Sequence, residues 1–301
     1  MNKKNLHPKY IFVWLLLVLM RLSSNISLKN QFRIGKKIGL FFMFLSTKQR
    51  KIAYKNISIC FPKKNKYQVE LLVRKSFESL GISYFEIANA LYMKNEEIAK
   101  LINKSNIEKL TELVHQNKRI IILTAHFTTM ILGGRALLLS HNIAASYRPQ
   151  KNVLFEKIYR ENFMRYGAIM IDNKNMRQIV KAFISRMPLW IVPDQDMGSE
   201  RSVFAPFFGI DTATITSPAR LAQKEDATVI PFIFIRNKNG YEIKFEKPLS
   251  NFPTGNLLND TSTINKVFER QINDFPEQYF WMHPRFRTRP NGEKSFYDEK
   301  N

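Results

Sequence analysis

The residues whose types could do chemistry cluster after two short apolar runs. His126 directly follows RIIILTA (Arg119 to Ala125), and Asp194 and Asp196 follow the run from Leu189 to Val192. An imidazole titrates near neutrality, so a histidine held at the floor of a cleft can take a proton from a substrate hydroxyl. Carboxylates beside such a ring orient it or shape the loop around it. Their spacing alone is too permissive to specify a metal site. A lone histidine is as readily a hydrogen-bonded structural group, a reading that fits His7, His115, His141 and His283 better than it fits His126.

The runs that carry these residues read as strands. The segment Arg119 to Ala125 is β-branched, apolar on both faces and too short for a helix, which is the pattern of a strand covered on both sides. Similar runs occur at Ala168 to Ile171, Leu189 to Val192 and Thr228 to Ile235, with helical stretches between them at Leu154 to Tyr166, Met176 to Arg186 and Ser217 to Gln223. Strands alternating with helices predict an α/β fold with a mostly parallel central sheet and flanking helices. Tyr241 to Lys247 reads as a strand near the sheet edge. Upstream, a long helix is expected from about Tyr67 to Met93, broken at Gly81, and a shorter one from Ile107 to Gln116. Ligand sites in such sheets lie beyond the carboxyl ends of the strands. Both His126 and the aspartate pair fall there.

Charge points to the partners. Among 301 residues, 47 Lys and Arg stand against 25 Asp and Glu, a net charge of +22. AT-rich codon usage supplies part of that excess. The rest creates a field that concentrates anions: nucleic acid, an anionic membrane or an acidic protein. No zinc knuckle, RNA-binding string or helix-turn-helix pattern is present, and the cations are spread along the chain, which argues against nucleic acid. Cys60 is the single cysteine, so an internal disulfide and a multi-cysteine zinc site are both excluded. A reducing, cytoplasm-facing location fits.

The first 50 residues differ from the rest. Tyr10 to Met20 is an uncharged apolar run, preceded by Lys3, Lys4 and Lys9 and followed by Arg21. A second apolar patch, Ile38 to Leu45, follows Arg33, Lys36 and Lys37. The first run is short of the roughly 20 residues that cross a bilayer core, and no convincing signal-peptide cleavage site follows it. A pair of membrane-anchoring or interfacial helices over residues 1–50 is expected, with the second domain over 51–301. Whether one of them is a transmembrane helix stays open.

Several strings carry a resemblance. They are HFTTMILGGR from His126, YRPQKN from Tyr147, VPDQDMGSERSVFAPFFG from Val192, VIPF from Val229 and PEQYFWMHPRFRTRP from Pro276, with LHPKY and NISICFP toward the amino end. In order and spacing the chain resembles the late acyltransferases of bacterial lipid A biosynthesis, the lauroyl and myristoyl transferase type. The resemblance implies a glycerolipid-acyltransferase-like fold at the cytoplasmic face of the inner membrane. It implies transfer of a fatty acyl group from acyl carrier protein to a hydroxyl on an acyl chain of a Kdo-bearing lipid A precursor. His126 would be the general base, and no metal or organic cofactor is required. Arg148 matches the arginine of the YRP string and suits a forked contact with phosphate or carboxylate. Arg135 is a second, less specific anion contact, and Asp194 and Asp196 stand beside the substrate. Phe207, Phe208 and Gly209 would line an acyl tunnel or belong to the core.

One position departs from that pattern. After four intervening residues, where the family places a glutamate that supports the histidine, this chain has Ile131. Three outcomes stay open: another acid, Asp194 or Asp196, reaches the ring; turnover is slow; or the chain is a catalytically impaired homologue that binds lipid without transfer. If the missing carboxylate is the limitation, Ile131→Glu raises transfer.

Overall fold

The structure is a computed structural model and describes residues 10–103 and 107–298. Lys3, Lys4, His7 and Lys9, with most of the LHPKY string, lie outside the described residues. Four helices open the chain: α1 (Ile11–Ser23), α2 (Leu28–Leu45), α3 (Thr47–Cys60) and α4 (Lys66–Tyr92). The boundary placed at residue 50 falls inside α3. A capping box starts α4, with the Asn65 side chain on Gln68 N and the Gln68 side chain on Asn65 N. Gly81 does not break α4. It removes the side chain where α2 crosses: a Cβ there would stand 2.1 Å from the Gly35 carbonyl oxygen, and one on Gly39 would stand 1.9 Å from that of Phe77. Close backbone approach, not flexibility, is why glycine occurs at this point.

The remaining elements build the sheet. In chain order they are α5 (Asn95–Leu101), β1 (Ile102–Asn103), α6 (Glu108–His115), β2 (Ile120–Leu123), α7 (Met130–Leu137), β3 (Ile143–Tyr147), α8 (Val153–Arg165), β4 (Ala168–Asp172), α9 (Met176–Ile184) and β5 (Leu189–Ile191). They continue with the hairpin β6 (Ser202–Phe207) and β7 (Ile210–Ile215), then α10 (Ser217–Glu225), β8 (Thr228–Arg236), β9 (Tyr241–Phe245) and α11 (Leu257–Asp274). The seven-stranded sheet runs β1-β9-β8-β2-β5-β3-β4. Neighbours from β8 to β4 are parallel, and β9 pairs antiparallel with β8. The mixed α/β architecture with a mostly parallel sheet is therefore the one expected.

Alternation along the strands sorts the core into two layers. Ile121, Leu123, Ala144, Ile171, Leu189, Ile191 and Val229 face one side, together with Ile179 and Phe183 of α9 and Leu221 of α10. Ile120, Ile122, Ile143, Met170, Trp190 and Ile230 face the other, with Leu132 of α7 and Phe163 of α8. Helix α4 rests on α7 and α8. It is tied to β8 by a buried fork: Arg236 Nε donates to Glu86 Oε1 at 2.7 Å and its Nη2 to Oε2 at 2.8 Å. Removing one partner of such a pair strands a buried charge, at a cost of roughly 3–5 kcal/mol.

Among the described residues no helix is long and apolar enough to cross a membrane. The transmembrane helix is thus not supported. What α1 and α2 show instead is an apolar outer surface, with Phe12 80%, Phe41 65% and Phe44 73% exposed.

Candidate active site

Strand register brings His126 and Asp194 together. Strands β2 and β5 are adjacent and parallel, pairing Ile121 with Leu189, Ile122 with Trp190 and Leu123 with Ile191. The ladder carries on past the strand ends, where Thr124 N donates to Ile191 O at 3.2 Å. The same offset of 68 residues then sets His126 opposite Asp194. Asp194 grips the histidine twice: Oδ2 accepts from His126 N at 3.0 Å, and Oδ1 lies 2.6 Å from the ring Nδ1. Ring and backbone are fixed by one side chain.

Surrounding elements hold the loop. Phe280 N donates to His126 O at 2.9 Å, and Thr128 N donates to Gln278 O at 2.8 Å. The Ser79 and Thr128 hydroxyls share a hydrogen bond of 2.7 Å, which joins α4 to the same loop. The His126 side chain stays 24% exposed, whereas that of Asp194 is 1% exposed. An anchored carboxylate below and a partly open imidazole above leave Nε2 as the accessible nitrogen.

Electrostatics keeps Asp194 charged. Burial acts to raise its pKa, but the His126 charge, the two hydrogen bonds from His126 and the charge of Arg285 outweigh it and hold the carboxyl at about 2. A carboxylate that accepts from Nδ1 fixes the proton there and frees Nε2 to act as a base. Tyr279 is buried close by, and burial and the Asp194 charge push its phenol well up.

Asp196 has a different job. Its Oδ1 accepts from Gly198 N at 2.9 Å and from the Thr288 hydroxyl at 2.8 Å, and its Oδ2 accepts from Thr288 N at 2.7 Å. Its backbone N donates to His283 Nε2 at 3.0 Å. Asp196 therefore ties the loop after β5 to the carboxyl-terminal segment. Burial is the largest cause that pushes His283 down to about 4, with the His126 and Arg285 charges adding to it. Arg285 is buried, donating to Ala213 O at 2.6 Å and Thr214 Oγ1 at 2.5 Å. His283, Tyr279 and Arg285 reach the site from the string at Pro276, whose role here had no local signal beyond that string.

The two expected anion contacts part ways. Arg148 is exposed in the loop after β3, at the same carboxyl edge as His126. That loop is pinned by Glu156, which accepts from the Tyr147 hydroxyl and from Gln150 N. Arg135 is not at the surface: it is fully buried, 3.3 Å from the Tyr166 ring centroid and bonded to Asn95 Oδ1. Its place on the inner face of α7 corrects the expectation of an anion contact, because the guanidinium is stacked away from solvent.

An apolar cavity of about 490 Å³, open mouth included, is walled in part by residues that flank the pair in the chain, with neither His126 nor Asp194 in its lining. Its lining includes Met130 and Ile131 from the helix after His126, Val192 just before Asp194, Ala145, Tyr159 and Trp190. Ile131, at the position of the family carboxylate, is therefore cavity wall. Phe207 and Phe208 are not part of it; they pack against each other, Phe61 and Phe286 in the opposite layer.

Comparison with known proteins agrees over the whole length. The family described as bacterial lipid A biosynthesis acyltransferase matches residues 1–288. The lipid A biosynthesis palmitoleoyltransferase of Escherichia coli K12 is 31% identical over 299 residues, covering 98% of this chain and 97% of that protein. The lauroyltransferase of the same organism is 30% identical over 295 residues, covering 97% and 96%. Its myristoyltransferase is 25% identical over 312 residues, covering 100% and 94%.

Proposed function

Since the chain belongs to the bacterial lipid A biosynthesis acyltransferase family, we propose that it moves a fatty acyl group from acyl carrier protein to a hydroxyl on an acyl chain of a Kdo-bearing lipid A precursor. The observation that carries this reading is the 2.6 Å contact between His126 Nδ1 and the buried carboxylate of Asp194. In the proposed reaction Nε2 of His126 takes the proton of the acceptor hydroxyl. The oxygen attacks the thioester carbon, a tetrahedral oxyanion forms, and its collapse releases the carrier thiolate, which the imidazolium reprotonates. Asp194 stabilises the cationic ring while it holds that proton. Helix α7 begins four residues past His126, and the positive end of its dipole favours a negative oxygen placed there.

Asp194 thereby supplies the charge that Ile131 cannot. The cavity walled by Ile131, Ala145 and Trp190 suits the donor chain, since it is apolar and its wall includes Met130 and Val192, which flank the pair in the chain. Arg148, exposed at the same edge, suits a phosphate or Kdo carboxylate of the acceptor. The exposed apolar faces of α1 and α2, with Arg21, Lys29, Arg33, Lys36 and Lys37 among them, suit insertion into the cytoplasmic leaflet of the bacterial inner membrane without crossing it.

Ile131 favours a second reading, a homologue that binds lipid without transferring. Incubation of the purified chain with acyl carrier protein thioester and a tetra-acylated Kdo precursor separates the two. Wild type forms a penta-acylated product and His126→Ala does not. No product from wild type, in a preparation that still binds the precursor, defeats the enzyme reading.

A further inference from the structure

Helix α9 is amphipathic in an unusual way. Ile179, Ala182 and Phe183 are buried against the sheet. Its outer side is not the polar face that a solvated helix presents. Met176, Val180 and Ile184 recur there every four residues, Met176 43% and Ile184 50% exposed and Val180 half-buried against the core between them, and with Arg177 and Lys181 they line one shallow depression. That stripe runs for about 12 Å along the helix.

Among the described residues its charges have no acid to answer them, and only Arg186 finds an acceptor, the Asn117 carbonyl. The stretch from Asn173 to Arg186 contains Lys174, Arg177, Lys181 and Arg186 and no acid. Arg177 and Lys181 stand four apart, a like-charge spacing that weakens a helix by a few tenths of a kcal/mol. Beneath α9, strands β3, β4 and β5 bring a single acid, Asp172, whose Oδ1 already accepts from Lys174 N at 2.9 Å. Among the described residues no ion pair engages Lys174, Arg177 or Lys181. Exposed Met176 and Ile184 beside cations that meet no acid give this face two features, apolar contact and positive charge, that one acidic partner can answer.

We propose that α9 is the docking surface for the acidic carrier protein that delivers the acyl thioester; this rests on the donor assigned above. A helix bearing acids beside an apolar ridge complements both features. The position fits delivery. The amino end of α9 follows the carboxyl end of β4, three strand spacings from β2, or about 14 Å from the strand that ends in His126. A thioester on a long flexible arm then reaches the reacting edge while its carrier stays on α9. A bilayer is the other occupant with matching chemistry, and the vesicle arm of the test separates the two. Met20 of α1 packs in the α7–α8 cluster, on the face opposite α9, whereas Met43 of α2 packs against the cluster that α9 joins.

The test uses the full chain and two donors: acyl carrier protein thioester, and the same acyl group on pantetheine, which lacks the protein. For Arg177→Glu with Lys181→Glu, KM for the carrier donor rises about tenfold or more and becomes less salt-sensitive, while the rate with acyl-pantetheine is unchanged. Met176→Ser with Ile184→Ser raises the same KM without changing the salt dependence. Fluorescence anisotropy of labelled holo carrier protein reports the same loss as a weaker Kd. A carrier KM and Kd within twofold of wild type overturn the proposal. So does a loss of binding to phosphatidylglycerol vesicles with carrier binding intact, which assigns α9 to the membrane. Absence of transfer by wild type from either donor defeats the catalytic reading instead, and the anisotropy still decides the docking.

Discussion

Asp194→Asn is the substitution that exposes the logic of the site. The side chains match in shape, so the packing around this fully buried residue persists. Hydrogen bonding does not. Asp194 now accepts two bonds, from the backbone N of His126 and from its ring. An amide offers one accepting oxygen and one donating nitrogen. The backbone N–H is a donor that cannot change, so it claims the Asn oxygen. The Asn NH₂ is then left facing Nδ1, where it forces the ring into the tautomer with its proton on Nε2. That tautomer presents a donor to the substrate hydroxyl and has no lone pair for its proton.

The size of the loss has a floor and a ceiling. Despite burial, Asp194 is held at about 2 against an ordinary 3.8. That difference is worth about 2 kcal/mol in favour of the charged form, or roughly 30-fold in rate if it is all realised when the ring becomes cationic. Inversion of the tautomer in a triad of this kind costs up to about 10⁴-fold. Single-turnover transfer from the acyl carrier thioester, with excess enzyme, measures the chemical step. Circular dichroism confirms that the fold is unchanged. A loss in the range of 30-fold to 10⁴-fold is expected; a folded variant within about threefold of wild type refutes the pairing as a catalytic device.

The other expectations follow from the same geometry. Ile131→Glu does not raise turnover, because Asp194 already occupies the ring Nδ1, and a carboxylate among Met130, Ala145 and Trp190 disturbs the apolar cavity; a severalfold gain in kcat would show that the native pair is insufficient. Ala145→Phe shortens that cavity, so the preferred donor shifts toward shorter acyl chains, read by mass spectrometry of the product. Stability depends on pH through His283, which folds with its pKa depressed from 6.5 to about 4. The unfolded chain binds the extra proton between those values, so the contribution is full above about pH 6.5 and lost as pH falls toward 4, by up to about 3 kcal/mol. Urea unfolding at pH 7 and pH 5 measures this, and His283→Gln, which keeps an acceptor for Asp196 N, flattens the difference. Replacing Phe12, Phe41 and Phe44 together with Ser weakens sedimentation with anionic vesicles by about tenfold or more, since each withdraws an exposed aromatic from the lipid.

What the sequence made legible was set by periodicity. Short β-branched runs identified β2, β4, β5 and β8, and the ends of β2 and β5 identified the level at which His126 and Asp194 stand, whereas β3, which leads to Arg148, was not read. Strand order, by contrast, depends on contacts far apart in the chain. The adjacency of β2 and β5 that pairs His126 with Asp194 leaves no local mark, so the carboxylate partner was one of several open outcomes. Arg135 misled because an arginine near a motif looks accessible until helix phase is known; on α7 it points inward beneath Tyr166. Gly81 misled for a similar reason, since a glycine reads as a break unless a second helix crosses there. The β6–β7 hairpin and α11 were missed outright, α11 although Ile264, Val267, Phe268 and Ile272 recur at helical spacing.

A carboxylate on the neighbouring strand differs mechanically from one on the following helix. A glutamate at position 131 would take its place from the first turn of α7, so its aim would follow every shift of that helix over the cavity. Asp194 takes its place from the ladder that ends in the Thr124–Ile191 hydrogen bond, which is as rigid as the sheet. It also holds the backbone of the residue whose ring it orients, so ring and carboxylate move as one unit. Position 131 is thereby released from electrostatics and serves as cavity wall, where an apolar side chain suits an acyl chain better than a charge would. The arrangement carries its own check. With Asp194→Asn in place, Ile131→Glu offers the ring a second carboxylate, and partial recovery of the single-turnover rate is expected only if charge beside the imidazole is what was lost. No recovery in a folded double variant means that the proton the Asn amide forces onto Nε2, and not the missing charge, limits the rate.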